Sequence, residues 1–223
     1  MGASAAGEDA LSANPQQSEG AVPARSILPP FVVLRDFLTA ETVRELFEFA
    51  LARERAFAPT RTGRNESRNV RPEVRVSLGL RDLGAFRPML KDKMQAIAPG
   101  LVAKLGMTPV DSPRFETELV AHNDGAFYKR HIDTHTASDR DIRILSAVYY
   151  FHAEPKAFTG GALRLYAIGD PAGARFVDIE PEHNTLLVFP SWAPHEVMPI
   201  SCPSRRFADS RFAINCWVYR ARS

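Results

Sequence analysis

The sequence predicts a mainly β domain, a sandwich or barrel, preceded by supporting helices. Its 223 residues, 45% hydrophobic and 24% charged, are typical of one globular domain with its own core. From residue 115 onward, short runs rich in Val, Ile, Tyr and Phe are joined by turn-forming residues. Helical patterns occur only before that point, and no alternation of strands and helices indicates a parallel sheet.

The first 28 residues are predicted to form a disordered tail. Residues 2–26 are mostly small or polar, and Leu11 and Val22 are their only larger aliphatic side chains. Such a composition cannot repay the entropy lost on ordering. A single domain is therefore expected over 29–223, beginning with a strand over 31–37.

Two helices are predicted to form helical support over 39–106. Thr39 stands at the N-cap position of the first, before an apolar stripe of Val43, Leu46, Phe47, Ala50 and Leu51. The second extends over 89–105, with Pro88 in its first turn and Gly106 at its end. Pro99 is expected to kink or divide it.

Eight strand candidates then follow one another, over 115–121, 127–133, 143–151, 162–168, 176–179, 185–189, 195–199 and 211–219. Turn residues such as Gly160-Gly161 and Asp170-Pro171 separate them. This succession favours an antiparallel β sandwich or barrel.

Charge and cysteine content exclude several function classes. The 28 basic and 26 acidic side chains give a net charge of +2, too small for a nucleic-acid or membrane-surface binder that acts through its overall field. Two cysteines are too few for a disulfide framework. With neither a signal peptide nor a membrane span in evidence, the expected location is the cytoplasm.

A metal site is indicated by His131, Asp133 and His195. His131 and Asp133 are two positions apart in a predicted strand, so their side chains should face one cavity. His195 begins a later strand and could supply a third ligand. Two imidazoles and one carboxylate form the facial arrangement suited to Fe(II) and O₂. A His-x-Asp tripeptide is also common in proteins that bind no metal, so the surrounding sequence must decide.

The surrounding sequence resembles the prolyl-hydroxylase branch of the Fe(II)/2-oxoglutarate-dependent dioxygenases over roughly 115–220. Five segments carry the resemblance in the expected order: Gly125, Tyr128 and His131-x-Asp133; Leu145-Ser146-Ala147-Val148-Tyr149-Tyr150; Gly160-Gly161-Ala162-Leu163-Arg164-Leu165-Tyr166; His195-Glu196-Val197; and Arg211-Phe212-Ala213-Ile214-Asn215-Cys216-Trp217. Five segments in order are far more specific than any one of them.

The resemblance implies a double-stranded β-helix (jelly-roll) core over 115–220, with helices packed on one sheet. It further implies that His131, Asp133 and His195 hold Fe(II) and serve as the catalytic centre. 2-Oxoglutarate would chelate the iron, and its C5 carboxylate would bind a buried arginine and a tyrosine hydroxyl. Arg211 at the start of the last strand and Tyr150 are the candidates, because a guanidinium binds a carboxylate through two hydrogen bonds.

The sequence departs from the family pattern in two places. The interval from His195 to Arg211 is longer than is typical, so Arg205 or Arg206 remains an alternative anchor for 2-oxoglutarate. His122 stands where relatives often have a tyrosine, and it is expected either to donate a hydrogen bond to the co-substrate or to a metal-bound oxygen, or to be structural.

The predicted activity is Fe(II)-, 2-oxoglutarate- and O₂-dependent hydroxylation of an unactivated C–H bond, with ascorbate as an optional reductant. The favoured substrate is a prolyl or similar residue in a protein or peptide. The alternatives are a small molecule or carrier-bound amino acid, and a non-catalytic jelly-roll metal or ligand sensor. Five arginines between Arg61 and Arg75 are interpreted either as part of a solvated loop or as a lid that holds an anionic substrate. His135 is expected at the cavity mouth. The sequence does not indicate an oligomeric state.

Overall fold

The computed structural model of the chain describes residues 26–62, 69–110, 113–134 and 141–221. Three expectations therefore fall wholly or mostly outside the described residues. They concern the tail over 1–28, of which only the last three residues are described, the central part of the Arg61–Arg75 segment, and His135.

The two α-helices within the described ranges are α1 (Ala40–Ala52) and α2 (Phe86–Lys104). Thr39 is the N-cap of α1, as predicted, and its hydroxyl accepts a hydrogen bond from the Thr42 amide at 3.2 Å. Pro99 was expected to kink or divide the second helix. Division was wrong, because α2 continues through this residue. No helix in the described part of the chain has the length and hydropathy to cross a membrane.

The strands are numbered in chain order as β1 (Val32–Leu34), β2 (Ala58–Pro59), β3 (Arg75–Val76), β4 (Leu78–Leu80), β5 (Arg114–His122), β6 (Phe127–His131), β7 (Asp141–Phe151), β8 (Thr159–Gly160), β9 (Leu163–Tyr166), β10 (Phe176–Ile179), β11 (Thr185–Pro190), β12 (His195–Val197), β13 (Ile200–Ser201) and β14 (Arg211–Ala221). A seven-stranded sheet has the order β1-β11-β7-β14-β5-β4-β2, and a five-stranded sheet the order β10-β9-β12-β6-β3. β13 and β8 form a small third sheet. The predicted mainly β jelly-roll architecture is confirmed.

The seven-stranded sheet has two apolar faces because successive side chains of a strand point to opposite sides. On one face, Tyr149 of β7 and Phe212 of β14 pack with Leu46 of α1 and Met94 of α2. On the other, Val148, Tyr150 and Ala213 belong to a second core. That core also includes Leu163 and Leu165 of the five-stranded sheet, so the two sheets face each other across it.

The main difference from the predicted fold lies between the two helices. This segment was expected to be helical support and irregular loop. It also supplies β2 and β4 to the seven-stranded sheet and β3 to the five-stranded sheet. These strands are only two or three residues long. Alternation of polar and apolar residues cannot be detected over so few positions.

Candidate metal and co-substrate site

His131, Asp133 and His195 lie together between the two sheets. One ligand atom from each lies within 4.8 Å of the others. The sheet register brings the histidines together, because His131 at the end of β6 pairs directly with His195 at the start of β12. Asp133 lies beyond the end of β6, although the predicted strand extended to it. Its main chain is held instead by the Ser191 carbonyl, which accepts hydrogen bonds from the Asp133 and Thr134 amides.

Both imidazoles turn the same ring nitrogen toward the carboxylate. Nδ1 of His131 lies 2.8 Å from the Lys129 carbonyl, and Nδ1 of His195 lies 2.9 Å from the Ala193 carbonyl. A carbonyl oxygen only accepts, so each Nδ1 carries the proton and each Nε2 offers a lone pair. These Nε2 atoms lie 3.8 and 3.7 Å from the Asp133 carboxylate oxygens. Neutral imidazoles with exposed lone pairs are the form in which histidine binds a metal.

The protonation states match this role. Burial, together with the nearby His195, lowers the pKa of His131 to about 3, so the ring is neutral at physiological pH. Burial alone would raise the pKa of Asp133. The imidazoles and hydrogen bonds from Ser146 and Trp217 outweigh burial and lower it to about 2. The site therefore offers one ionised carboxylate and, on His131, a neutral imidazole.

Arg211 and His122 line the same cavity at the end where β14 begins, and the Tyr150 ring lies beside Arg211. Arg211 begins β14, pairs with His122 on β5, and is 1% exposed. Its Nη1 lies 3.2 Å from His122 Nδ1. Because a guanidinium only donates, His122 Nδ1 must accept, and the ring is neutral with its proton on Nε2. Burial and then the charge of Arg211 lower the pKa of His122 well below its usual value.

Several buried donors at this end make no hydrogen bond of normal distance and angle to another described residue, although two of the groups, Tyr150 and Arg211, lie near enough to interact with each other. They are the Tyr150 hydroxyl and the Nε and Nη2 atoms of Arg211. The Arg211 guanidinium stands 4.7 Å from the centre of the Tyr150 ring. Burial raises the pKa of Tyr150 to about 12, so its hydroxyl keeps its proton. A buried charge with unsatisfied donors is costly, and an anionic ligand would remove that cost.

The alternative anchors lie outside the cavity. The side chains of Arg205 and Arg206 are 79% and 75% exposed. Arg205 pairs with Asp124 and Arg206 with Asp209, in the loop that precedes β14. Within the longer interval that raised these alternatives, Arg205 and Arg206 are therefore surface residues, and of the three candidates only Arg211 lines the cavity.

Sequence reasoning missed Arg75. It was interpreted as part of a surface loop or lid, but it lies on β3, is 8% exposed and lines the cavity with the metal-site histidines. Its guanidinium stands 4.9 Å from the centre of the Tyr128 ring, and that ring stacks on His131 at 3.6 Å. Its Nη2 lies 3.9 Å from the Glu118 carboxylate. No periodic signal marks a strand of two residues, so the sequence offered no means of finding it.

Comparison with known proteins agrees with this geometry. Residues 117–219 match the family model described as the 2OG-Fe(II) oxygenase superfamily, where 2OG is 2-oxoglutarate. An uncharacterised PKHD-type hydroxylase of Synechocystis sp. is 32% identical over 190 residues, which cover 83% of this chain and 61% of the relative. The chain thus spans about three fifths of the length of that relative.

A crystal structure of a Pseudomonas putida prolyl-4-hydroxylase is 26% identical, with a TM-score of 0.59, over 86% of this chain and 93% of that one. Residues 117–219 are thus similar to the 2OG-Fe(II) oxygenase superfamily, and the chain as a whole is similar to prolyl hydroxylase-like proteins in sequence and fold. The fold of this chain is also that of a Trichoplax adhaerens prolyl hydroxylase solved with a hypoxia inducible factor peptide fragment. That structure has a TM-score of 0.60 at 22% identity and covers 86% of this chain and 84% of the other.

The residues of this site fit the cofactors that the matched family implies. The two nitrogen lone pairs and the carboxylate are a donor set suited to Fe(II). The unsatisfied donors of Arg211 and Tyr150 suit the distal carboxylate of 2-oxoglutarate, because a guanidinium fork and a hydroxyl both donate to carboxylate oxygens.

The neutral buried histidines should make the metal-free protein less stable in mild acid. Between about pH 6.5 and pH 5, unfolded histidine binds a proton that folded His122 and His131 do not. The free energy of unfolding should then fall by about 1.4 kcal/mol per pH unit for each group. Urea unfolding with a chelator, repeated across this range, measures the slope. His122→Gln should reduce it by one group, and an unchanged slope would contradict the assignment.

Proposed function

We propose that this chain is an Fe(II)- and 2-oxoglutarate-dependent oxygenase that hydroxylates an unactivated C–H bond of a prolyl or similar residue in a protein or peptide. The observation that carries the proposal is one cavity with two complementary ends. Three side chains able to bind a metal meet at one end, and a buried arginine with unsatisfied donors lines the other, with the Tyr150 hydroxyl among the residues beside it. The prolyl substrate is supported by the similarity to the Pseudomonas putida enzyme.

The residues of the site have two roles, which are to bind the metal and 2-oxoglutarate and to exclude water. His131, Asp133 and His195 would hold the metal from one side and leave the remaining positions open. Arg211 and Tyr150 would bind the distal carboxylate of 2-oxoglutarate and so orient it toward the metal. Val148, Leu163 and Val197 line the cavity between them and exclude water. When bound, iron and 2-oxoglutarate supply the oxidation, in which O₂ places one oxygen in succinate and one in the product, with loss of CO₂.

A small anionic substrate, such as a free or carrier-bound amino acid, is a second candidate. It is favoured by Arg75, which brings a second guanidinium to the cavity that already contains Arg211. A buried arginine beside a metal could orient a substrate carboxylate. The neighbouring Glu118 reduces the net positive charge available there, so we place this candidate second.

The test is formation of succinate from 2-oxoglutarate with Fe(II) and ascorbate, followed by mass spectrometry of added substrates. Slow turnover is expected without substrate, and faster turnover with prolyl-containing peptides that gain one oxygen atom. Stimulation by free amino acids alone would select the second candidate. Metal binding without any succinate would instead indicate a non-catalytic sensor.

A further inference from the structure

One oxygen of the Asp133 carboxylate receives two hydrogen bonds from side chains outside the metal-ligating set. Ser146 Oγ donates to Asp133 Oδ2 at 2.6 Å, and Trp217 Nε1 donates to the same oxygen at 2.9 Å. A carboxylate oxygen has two lone-pair sites, and these two donors occupy both. The other oxygen, Oδ1, keeps its lone pairs and lies 3.8 Å from His131 Nε2, while Oδ2 lies 3.7 Å from His195 Nε2.

The sheet register explains why both donors reach one atom. Ser146 on β7 and Trp217 on β14 are directly paired, so their side chains project from neighbouring strands on the same face. Ser146 is 1% exposed, and its hydroxyl lies 2.9 Å from that of Ser191, which is fully buried. The backbone carbonyl of the same Ser191 holds the Asp133 amide.

The Trp217 ring is itself held in place. The Arg143 guanidinium stands 4.1 Å from the ring centre. That guanidinium is fixed in turn, because its Nε donates to the Tyr219 hydroxyl at 2.7 Å and its Nη2 to Glu116 at 2.9 Å. The indole N–H is therefore aimed at Asp133 by packing that does not depend on a bound metal.

We propose that Ser146 and Trp217 are positioning residues that hold Asp133 as a one-oxygen metal ligand, through Oδ1. This inference rests on the proposed function and gives a reason for the two hydrogen bonds to Asp133 Oδ2. Three single-atom protein ligands leave three positions of an octahedral ion open, whereas a carboxylate bound through both oxygens would occupy one of them. The two donors thus preserve a position that co-substrate and O₂ require.

Metal binding by the whole chain, without turnover, tests the proposal. The probes are Mn(II), measured by equilibrium dialysis, and Co(II), measured by its visible absorption. The variants are Trp217→Phe, Ser146→Ala and their combination, with Trp192→Phe as the matched control because Trp192 is 43% exposed in the turn after β11. Each single variant should weaken Mn(II) binding by about 10- to 100-fold, as loss of a hydrogen bond to a metal ligand commonly does.

The visible spectrum separates positioning from stability. The Co(II) bands of the double variant should shift as Oδ2 becomes free to bind, while those of Trp192→Phe should match wild type. The two losses should also be non-additive, since both donors act on one oxygen. Trp192→Phe leaves Trp217 as the only tryptophan, and Co(II) should quench most of its emission. If Trp217→Phe fails to fold, Ser146→Ala alone is decisive.

Wild-type affinity and an unchanged Co(II) spectrum in both Ser146→Ala and the double variant would overturn the inference and leave the proposed function intact. A wild-type chain that binds neither metal would instead contradict the proposed function, and the inference with it.

Discussion

Asp133→Ala is expected to abolish turnover of 2-oxoglutarate to succinate. The substitution removes the only anionic group of the three that meet in the cavity, and it leaves two imidazoles to hold a dication. Metal affinity should fall by more than the roughly 10- to 100-fold that loss of a supporting hydrogen bond causes. Mn(II) dialysis and the succinate assay measure the two effects separately.

The Asp133→Ala chain should still fold. Its Ser146 and Trp217 donors lose their partner, which costs about 1–3 kcal/mol for a buried group. Asp178→Ala is the matched control, because this carboxylate pairs with Arg164 on the outside of the five-stranded sheet. The substitution should affect neither measurement. Wild-type metal binding or turnover in Asp133→Ala would refute the assignment of the metal site.

Arg211→Met is expected to weaken 2-oxoglutarate binding and, at the same time, to stabilise the unliganded chain. Loss of the guanidinium should cost about 2–5 kcal/mol of binding free energy, which is roughly 30-fold or more in affinity. The metal-free, ligand-free chain should become more stable, because a buried charge with two unsatisfied nitrogens is replaced by an apolar side chain. In thermal unfolding, 2-oxoglutarate should raise the midpoint of wild type but not that of Arg211→Met.

Two further variants sharpen the assignment of the anchor. Arg211→Lys keeps the charge but loses the bidentate hydrogen bonding of a guanidinium to a carboxylate. Its affinity for 2-oxoglutarate should therefore lie between those of wild type and Arg211→Met. Arg205→Met tests the alternative anchor, and its exposed side chain predicts wild-type affinity. Loss of 2-oxoglutarate binding in Arg205→Met, with Arg211→Met unaffected, would transfer the role to the surface loop.

Much of the fold could be predicted because its longer elements carry clear periodic patterns. The strand expected over 211–219 is β14 (Arg211–Ala221), and the one over 143–151 is β7 (Asp141–Phe151). Both alternate between a face toward the helices and a face toward the cavity. That alternation already placed Trp217 on the face of Arg211. It could not show that the indole reaches Asp133, because the contact joins residues far apart in sequence.

The sequence by itself determined which residue types are present and how the long strands and helices alternate, because both depend on neighbours along the chain. These patterns identified the mainly β class and made His131, Asp133 and His195 candidate ligands, and the resemblance to the oxygenase family implied the jelly-roll core and the role of Arg211. Only the tertiary structure decided the register that pairs His131 with His195, the burial of Arg75 and the convergence of two donors on one oxygen of Asp133. Those features arise from contacts between segments that are distant in sequence. Such contacts produce no periodic pattern in the amino-acid sequence.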